Sequence, residues 1–219
     1  MSYRTPHEKR ARMLRLYPWL LALVACFVFV SLLDFPAIAW FVTIDPQTRV
    51  VDRSVAGEDW YMLLRIAGSI WTWVLLCVVV VALGRGARMG LALLSAPLLA
   101  GLLAELLKLV VARERPVDGA ALRDGLYAMR VPFSGFIDGS NLGFPSSHAA
   151  TAFGGAVMLG FIEPRLRAIA LLLALGCAWS RLPTGAHYAS DVFAGAVIGA
   201  AIGVWVASIQ PRGDRKFTL

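Results

Sequence analysis

The sequence predicts an all-α fold, a polytopic bundle of six membrane-spanning helices. Three observations predict it. Apolar residues make up 58% of the chain and charged residues 16%, a balance unlike that of an ordinary soluble domain. Six apolar stretches are long enough, or nearly so, to cross about 30 Å of hydrocarbon. No strand-like alternation, repeat or low-complexity tract competes with them.

The six spans are expected near residues 17–33, 62–83, 89–111, 148–162, 166–182 and 192–209. A basic start (Arg4, Lys9, Arg10, Arg12, Arg15) precedes the first, and Ala37-Ile38-Ala39 has the small-x-small form of a signal-peptide cleavage site. Asp34 and Pro36 interrupt the apolar run before that triplet, so the run reads as an uncleaved first span. The fourth stretch is short, which places its first turn in a polar pocket rather than in lipid. The chain therefore divides into a basic segment 1–16, a helical domain 17–209 and a tail 210–219. Cys26, Cys77 and Cys177 all lie in apolar runs. An odd count without metal-type spacing makes them packing residues, not a disulfide framework or a zinc site.

Lys and Arg in the connections orient the bundle. With the N-terminus inside, segments 1–16, 84–88, 163–167 and 210–219 carry twelve Lys and Arg against three acids; the rest of the chain carries nine against eleven. Both termini are expected in the cytoplasm, in a plasma membrane. The net charge of +7 then reflects topology and calls for no nucleic-acid partner, and His7 belongs to the basic start. Two outer segments exceed ordinary connectors: 34–61, with Trp40, Phe41 and Trp60, and 113–142, with Phe133 and Phe136. Interfacial anchoring is the plain reading of these aromatics, and a lid that admits a lipid head group is the sharper one. Trp71, Trp73, Trp179 and Trp205 are assigned to the bundle or its interface.

Three polar islands border the later spans, and in this topology all three fall on the extracytoplasmic face. Charged groups at bilayer depth are costly, which makes them markers of function. In the first island Lys108 and Arg115 are seven apart, on one face of a continuing helix that Pro116 ends. Glu105, one turn earlier, can pair with Lys108. In the second, Ser146 or Ser147 can cap a helix whose free N–H groups favour an anion, and His148 can exchange a proton near neutral pH. In the third, His187 and Asp191 are four apart, so the carboxylate can hold one ring nitrogen as N–H and leave the other free to attack. The planar fork of Arg181 suits phosphate oxygens. Taken alone, each island also fits a bland reading: snorkelling cations, an N-cap beside an interfacial histidine, a His–Asp pair capping a helix. Together they form a site for handling a phosphate.

In order, the islands read K-x6-R-P at 108–116, P-S-S-H at 145–148 and S-R-x5-H-x3-D at 180–191. This resembles the three-part signature of the type 2 phosphatidic acid phosphatase (PAP2) superfamily, whose membrane members have six spans. Ser147 stands where the second motif usually carries glycine. The resemblance implies that His187 attacks phosphorus to form a phosphohistidine, with Asp191 orienting it. His148 would protonate the leaving oxygen and then help to activate water. Lys108, Arg115, Arg181 and the amides near Ser146 and Ser147 would hold the phosphoryl oxygens. It implies no metal and no cofactor. The expected partners are the lipid bilayer and a membrane lipid phosphate. Undecaprenyl diphosphate is placed ahead of phosphatidylglycerol phosphate, phosphatidic acid and lipid A 1-phosphate. A lipid-to-lipid phosphotransferase using the same site is the alternative, and a silent phospholipid-binding or transport module is a third reading.

Overall fold

A computed structural model describes residues 6–44, 51–116 and 126–210, with side chains from Tyr17 onward. The side chains of the basic segment 1–16, and the tail beyond Gln210, lie outside the described residues. Every regular element among those described is helical: α1 (Pro6–Leu32), α2 (Asp34–Phe41), α3 (Asp59–Arg65), α4 (Ile70–Val80), α5 (Ala87–Val111), α6 (Ser147–Ile162), α7 (Arg167–Ser180) and α8 (Ala189–Ile209), joined in places by short tighter or wider turns. Three isolated bridges, Ile44 with Val51, Arg113 with Met129 and Glu114 with Leu142, pin the connections.

By length and composition, α5 and α8 can each cross a membrane. Two further candidates are bent pairs: residues 17–32 with α2 at 46°, and Asp59–Gly68 with Ile70–Arg85 at 67°. The described residues therefore hold two candidate spans, or four if each pair is one. The second expected span, 62–83, is thus broken rather than continuous. The break has a packing cause. Gly68 lies so close to α6 and α7 that a Cβ there would meet Cys177 Sγ at 2.7 Å and His148 at 2.9 Å. Carbonyls beside the break accept side-chain donors: Thr72 Oγ1 donates to Ile66 O at 2.6 Å, and Trp73 Nε1 to Ala67 O at 3.0 Å.

α6 is the central helix, with α5, α7 and α8 packed around it. Its neighbours are small: Ala96, Ala100 and Ala104 of α5 and Ala174 of α7 are fully buried, as are its own Ala149, Ala150 and Ala152. Large apolar side chains face outward instead, among them Leu75, Leu102, Leu172 and Val204. Small-inside and large-outside is the pattern of helices packed in lipid, where close backbone contact replaces hydrophobic collapse. Gly195, Gly199 and Gly203 put the tightest contact on one face of α8, four residues apart. A Cβ on Gly195 or Gly199 would strike the carbonyl of Ser146 or Ala150, and one on Gly203 would meet Val157 Cβ at 2.8 Å. Of the tryptophans, Trp73 is buried, Trp71 and Trp205 face outward, and Trp179 packs against Trp60 with ring centres 5.3 Å apart.

Overpacking a tight interface costs about 1–3 kcal/mol or more. Gly199→Leu is therefore expected to lower the Tm in detergent by several degrees. Gly57→Ala, at a position with nothing within 4 Å, is expected to leave it unchanged. Equal melting of the two variants would contradict this packing.

Candidate active site

α5 and α7 end, and α6 and α8 begin, at the same end of the bundle, and this brings the three islands together. α5 stops at Val111 because Ala112 takes a left-handed conformation (φ 55) with its N–H on Lys108 O. Arg115 consequently does not continue the helix, contrary to the sequence expectation. It sits in the following loop, where its Nε donates to Leu142 O at 3.1 Å. Lys108, buried in the last turn of α5, donates from Nζ to Glu105 Oε1 at 2.8 Å and to Ser147 Oγ at 3.1 Å. The bond to Ser147 ties α5 to the first residue of α6, and the Glu105 pairing expected from spacing is present. Ser146 occupies the cap position of α6, but its buried Oγ has no hydrogen-bond partner among the described residues. Its N–H instead donates to Asp191 O at 2.9 Å, which joins the second island to the third.

At the start of α8, the Asp191 carboxylate caps the helix from within its first turn, accepting the Tyr188 N–H on Oδ2 at 2.9 Å. His187 Nδ1 lies 3.5 Å from the same Oδ2 and makes no hydrogen bond among the described residues. This is long for a hydrogen bond, and catalytic contacts of this kind often tighten only with substrate. Arg181 closes α7 and donates from Nη1 to Tyr61 Oη at 2.6 Å. His148, the second residue of α6, faces Arg65, whose Nε stands 3.5 Å from His148 Nε2.

Four participants escape the motif reading: Arg113, Asp34, Tyr61 and Arg65. Arg113 Nη2 donates to Ser190 Oγ at 2.8 Å and forms a short ion pair with Asp191 Oδ1. Its guanidinium sits among the rings of Tyr127, Phe144 and Tyr188, at 4.8, 4.6 and 5.2 Å. Arg65 and Asp34 were open to detection by the rule that exposes the islands. Arg65 is the only charged residue in 62–83, and Asp34 is a carboxylate closing an apolar run. Tyr61 gave no comparable signal.

Burial, then the cations Arg181, Lys108 and Arg115, hold the His187 imidazole well below its ordinary pKa. It is therefore neutral at physiological pH. Burial pushes Tyr188 up to about 12, so a neutral phenol covers Arg113. A groove of about 380 Å³ runs along α5 from Leu98 and Leu102 to Glu105, and is closed on its other sides by Gly68, Ile70 and His148. A neutral imidazole beside a buried carboxylate, ringed by cations, can attack an anionic phosphorus centre.

Residues 89–215 match the PAP2 superfamily. A lipid A 1-phosphatase of Rhizobium etli is 32% identical over 131 residues, 59% of this chain and 54% of that protein. A decaprenylphosphoryl-5-phosphoribose phosphatase of Mycobacterium tuberculosis is 33% identical over 169 residues, 77% of this chain and 88% of that protein. A lipid A 4'-phosphatase of Bacteroides thetaiotaomicron is 41% identical over 70 residues, 31% of each chain. The chain spans about half the length of the Rhizobium lipid A 1-phosphatases it matches. No solved structure gives a significant match.

The depressed pKa of His187 has a direct readout. In a protein carrying ¹⁵N-labelled histidine, with His187 assigned through His187→Gln, its imidazole is expected to remain neutral at about pH 6, where a free one is about three-quarters protonated. Half-protonation near pH 6.5 would contradict the environment described.

Proposed function

Because this chain belongs to the PAP2 superfamily, we propose that it is an integral membrane phosphatase that removes phosphate from a lipid phosphomonoester or diphosphate through a phosphohistidine on His187. The observation that carries this reading is the buried, neutral imidazole of His187, its Nδ1 turned to Asp191 in a field of Lys108, Arg115 and Arg181.

Asp191 keeps the proton on Nδ1, so Nε2 attacks phosphorus as the bond to the leaving oxygen breaks. His148 gives that oxygen a proton. Lys108, Arg115, Arg181 and the free N–H groups at the start of α6 hold the phosphoryl oxygens as charge builds. His148 then takes a proton from water, the water oxygen attacks phosphorus, the P–N bond breaks, and inorganic phosphate leaves with His187 restored. The cations supply the charge that a metal would otherwise bring, so the reaction runs without one.

In the membrane, each bent pair forms one span, and α6 and α7 complete a six-span bundle with both termini cytoplasmic and the site extracytoplasmic. The Lys and Arg bias supports this orientation. The groove beside α5 suits a lipid tail that stays in hydrocarbon while its head group reaches His148. Arg65 adds a cation on the leaving-group side. That favours a leaving group that is itself a phosphate, as in a polyprenyl diphosphate such as undecaprenyl diphosphate. The Mycobacterium relative, by its name, also acts on a polyprenyl-phosphoryl compound bearing a further phosphate.

Purified protein in EDTA is expected to release phosphate from undecaprenyl diphosphate faster than from phosphatidylglycerol phosphate, phosphatidic acid or lipid A. His187→Ala is expected to lose at least about a thousandfold of that rate. Undiminished release by His187→Ala would overturn the mechanism. Arg65→Ala is expected to lower kcat/KM for the diphosphate about tenfold more than for the monoesters, and an equal loss on both would remove the diphosphate preference.

A further inference from the structure

Asp34 opens α2 just after the bend from α1, fully buried and outside the matched region 89–215. A carboxylate in such a place is costly unless its oxygens are satisfied. Its oxygens accept the Ser190 N–H at 2.7 Å, the Ser190 O–H in a short bond, and the Tyr127 O–H at 2.8 Å. Ser190 immediately precedes Asp191 on the first turn of α8. With its single proton committed to Asp34, the Ser190 hydroxyl presents its lone pairs to Arg113, whose Nη2 donates to it at 2.8 Å. The same Nη2 carries the ion pair to Asp191 Oδ1.

We propose that Asp34 is a positioning residue for the reaction, fixing Asp191 through Ser190 and Arg113; this rests on the phosphohistidine reading. Arg113 holds Oδ1 and the Tyr188 N–H holds Oδ2, so the carboxylate plane is set with Oδ2 toward His187 Nδ1. Asp34 sets the direction of the Ser190 proton and hence the place of the guanidinium. Without its charge, the Ser190 hydroxyl is free to turn its proton toward Asp191, in competition with Arg113. Standing between two buried carboxylates, Arg113 also has its charge committed to this cluster, whereas Arg115 and Arg181 remain for the phosphate.

Asp34→Asn keeps the shape and one acceptor oxygen but removes the charge. It is expected to lower kcat about tenfold to a hundredfold with KM within about twofold, because the substrate-holding cations are untouched. In an Asp191→Asn background the same change is expected to have less than about a twofold further effect, since the group it acts through is already lost. A full-size loss in that background, or an unchanged kcat in the single variant, overturns the proposal. Should Asp34→Asn not fold, Ser190→Ala breaks the same connection and is read in the same two backgrounds; if neither folds, Asp34 is structural and the proposal fails. Wild type that releases no phosphate from any lipid overturns the phosphatase reading and this inference with it. Active wild type with additive losses overturns this inference alone.

Discussion

Asp191 is fully buried on the first turn of α8, and the geometry around it depends on how that one residue is held. Its carboxylate takes Arg113 on one oxygen and the Tyr188 N–H on the other, while its backbone carbonyl takes the N–H of Ser146. Deleting Arg113 would leave a buried charge unpaired, which costs about 3–5 kcal/mol. One residue thus joins the cap of α8, the start of α6 and the side chain that faces His187. The join is possible only because α6 and α8 approach so closely, and Gly195 and Gly199 are what permit that approach. Small residues deep in the bundle are in this sense part of the site.

The break between α3 and α4 serves the same end of the molecule. Glycine at 68 lets the chain lie against His148, and the short helix before it brings Arg65 to His148 and Tyr61 to Arg181. The bend also leaves the groove beside α5, so one packing compromise gives both a polar lining and an apolar approach.

Much of this was legible in the sequence, for identifiable reasons. The apolar runs that become α5 and α8 stood out because length and composition alone mark them. The motif residues stood out because a charge beside an apolar run has few explanations. Lys108 with Glu105 followed from helical spacing and the pair is present, whereas His187 lies just before α8, outside the helix assumed for it, with Nδ1 3.5 Å from Asp191 Oδ2. Arg115 was placed on a continuing helix because an alanine at 112 carries no sign of a left-handed cap. The broken second span was hidden because Gly68 and Ser69 sit within an otherwise apolar run, and the break comes from what packs against them. Asp34 read as a mere interruption because its partners, Tyr127 and Ser190, lie far away in the chain. Long-range pairing of single polar residues leaves no periodic trace.

In the proposed reaction, His187 carries the phosphoryl group between lipid and water. The most direct test mixes the protein rapidly with a lipid substrate radiolabelled in the phosphate to be released, then quenches in alkali, which preserves a phosphorus–nitrogen bond. Label is expected on the protein during turnover, approaching at most one phosphate per chain, recovered on the peptide containing His187 and missing from His187→Ala. Active turnover with no protein-bound label, or label on any other residue, would contradict it.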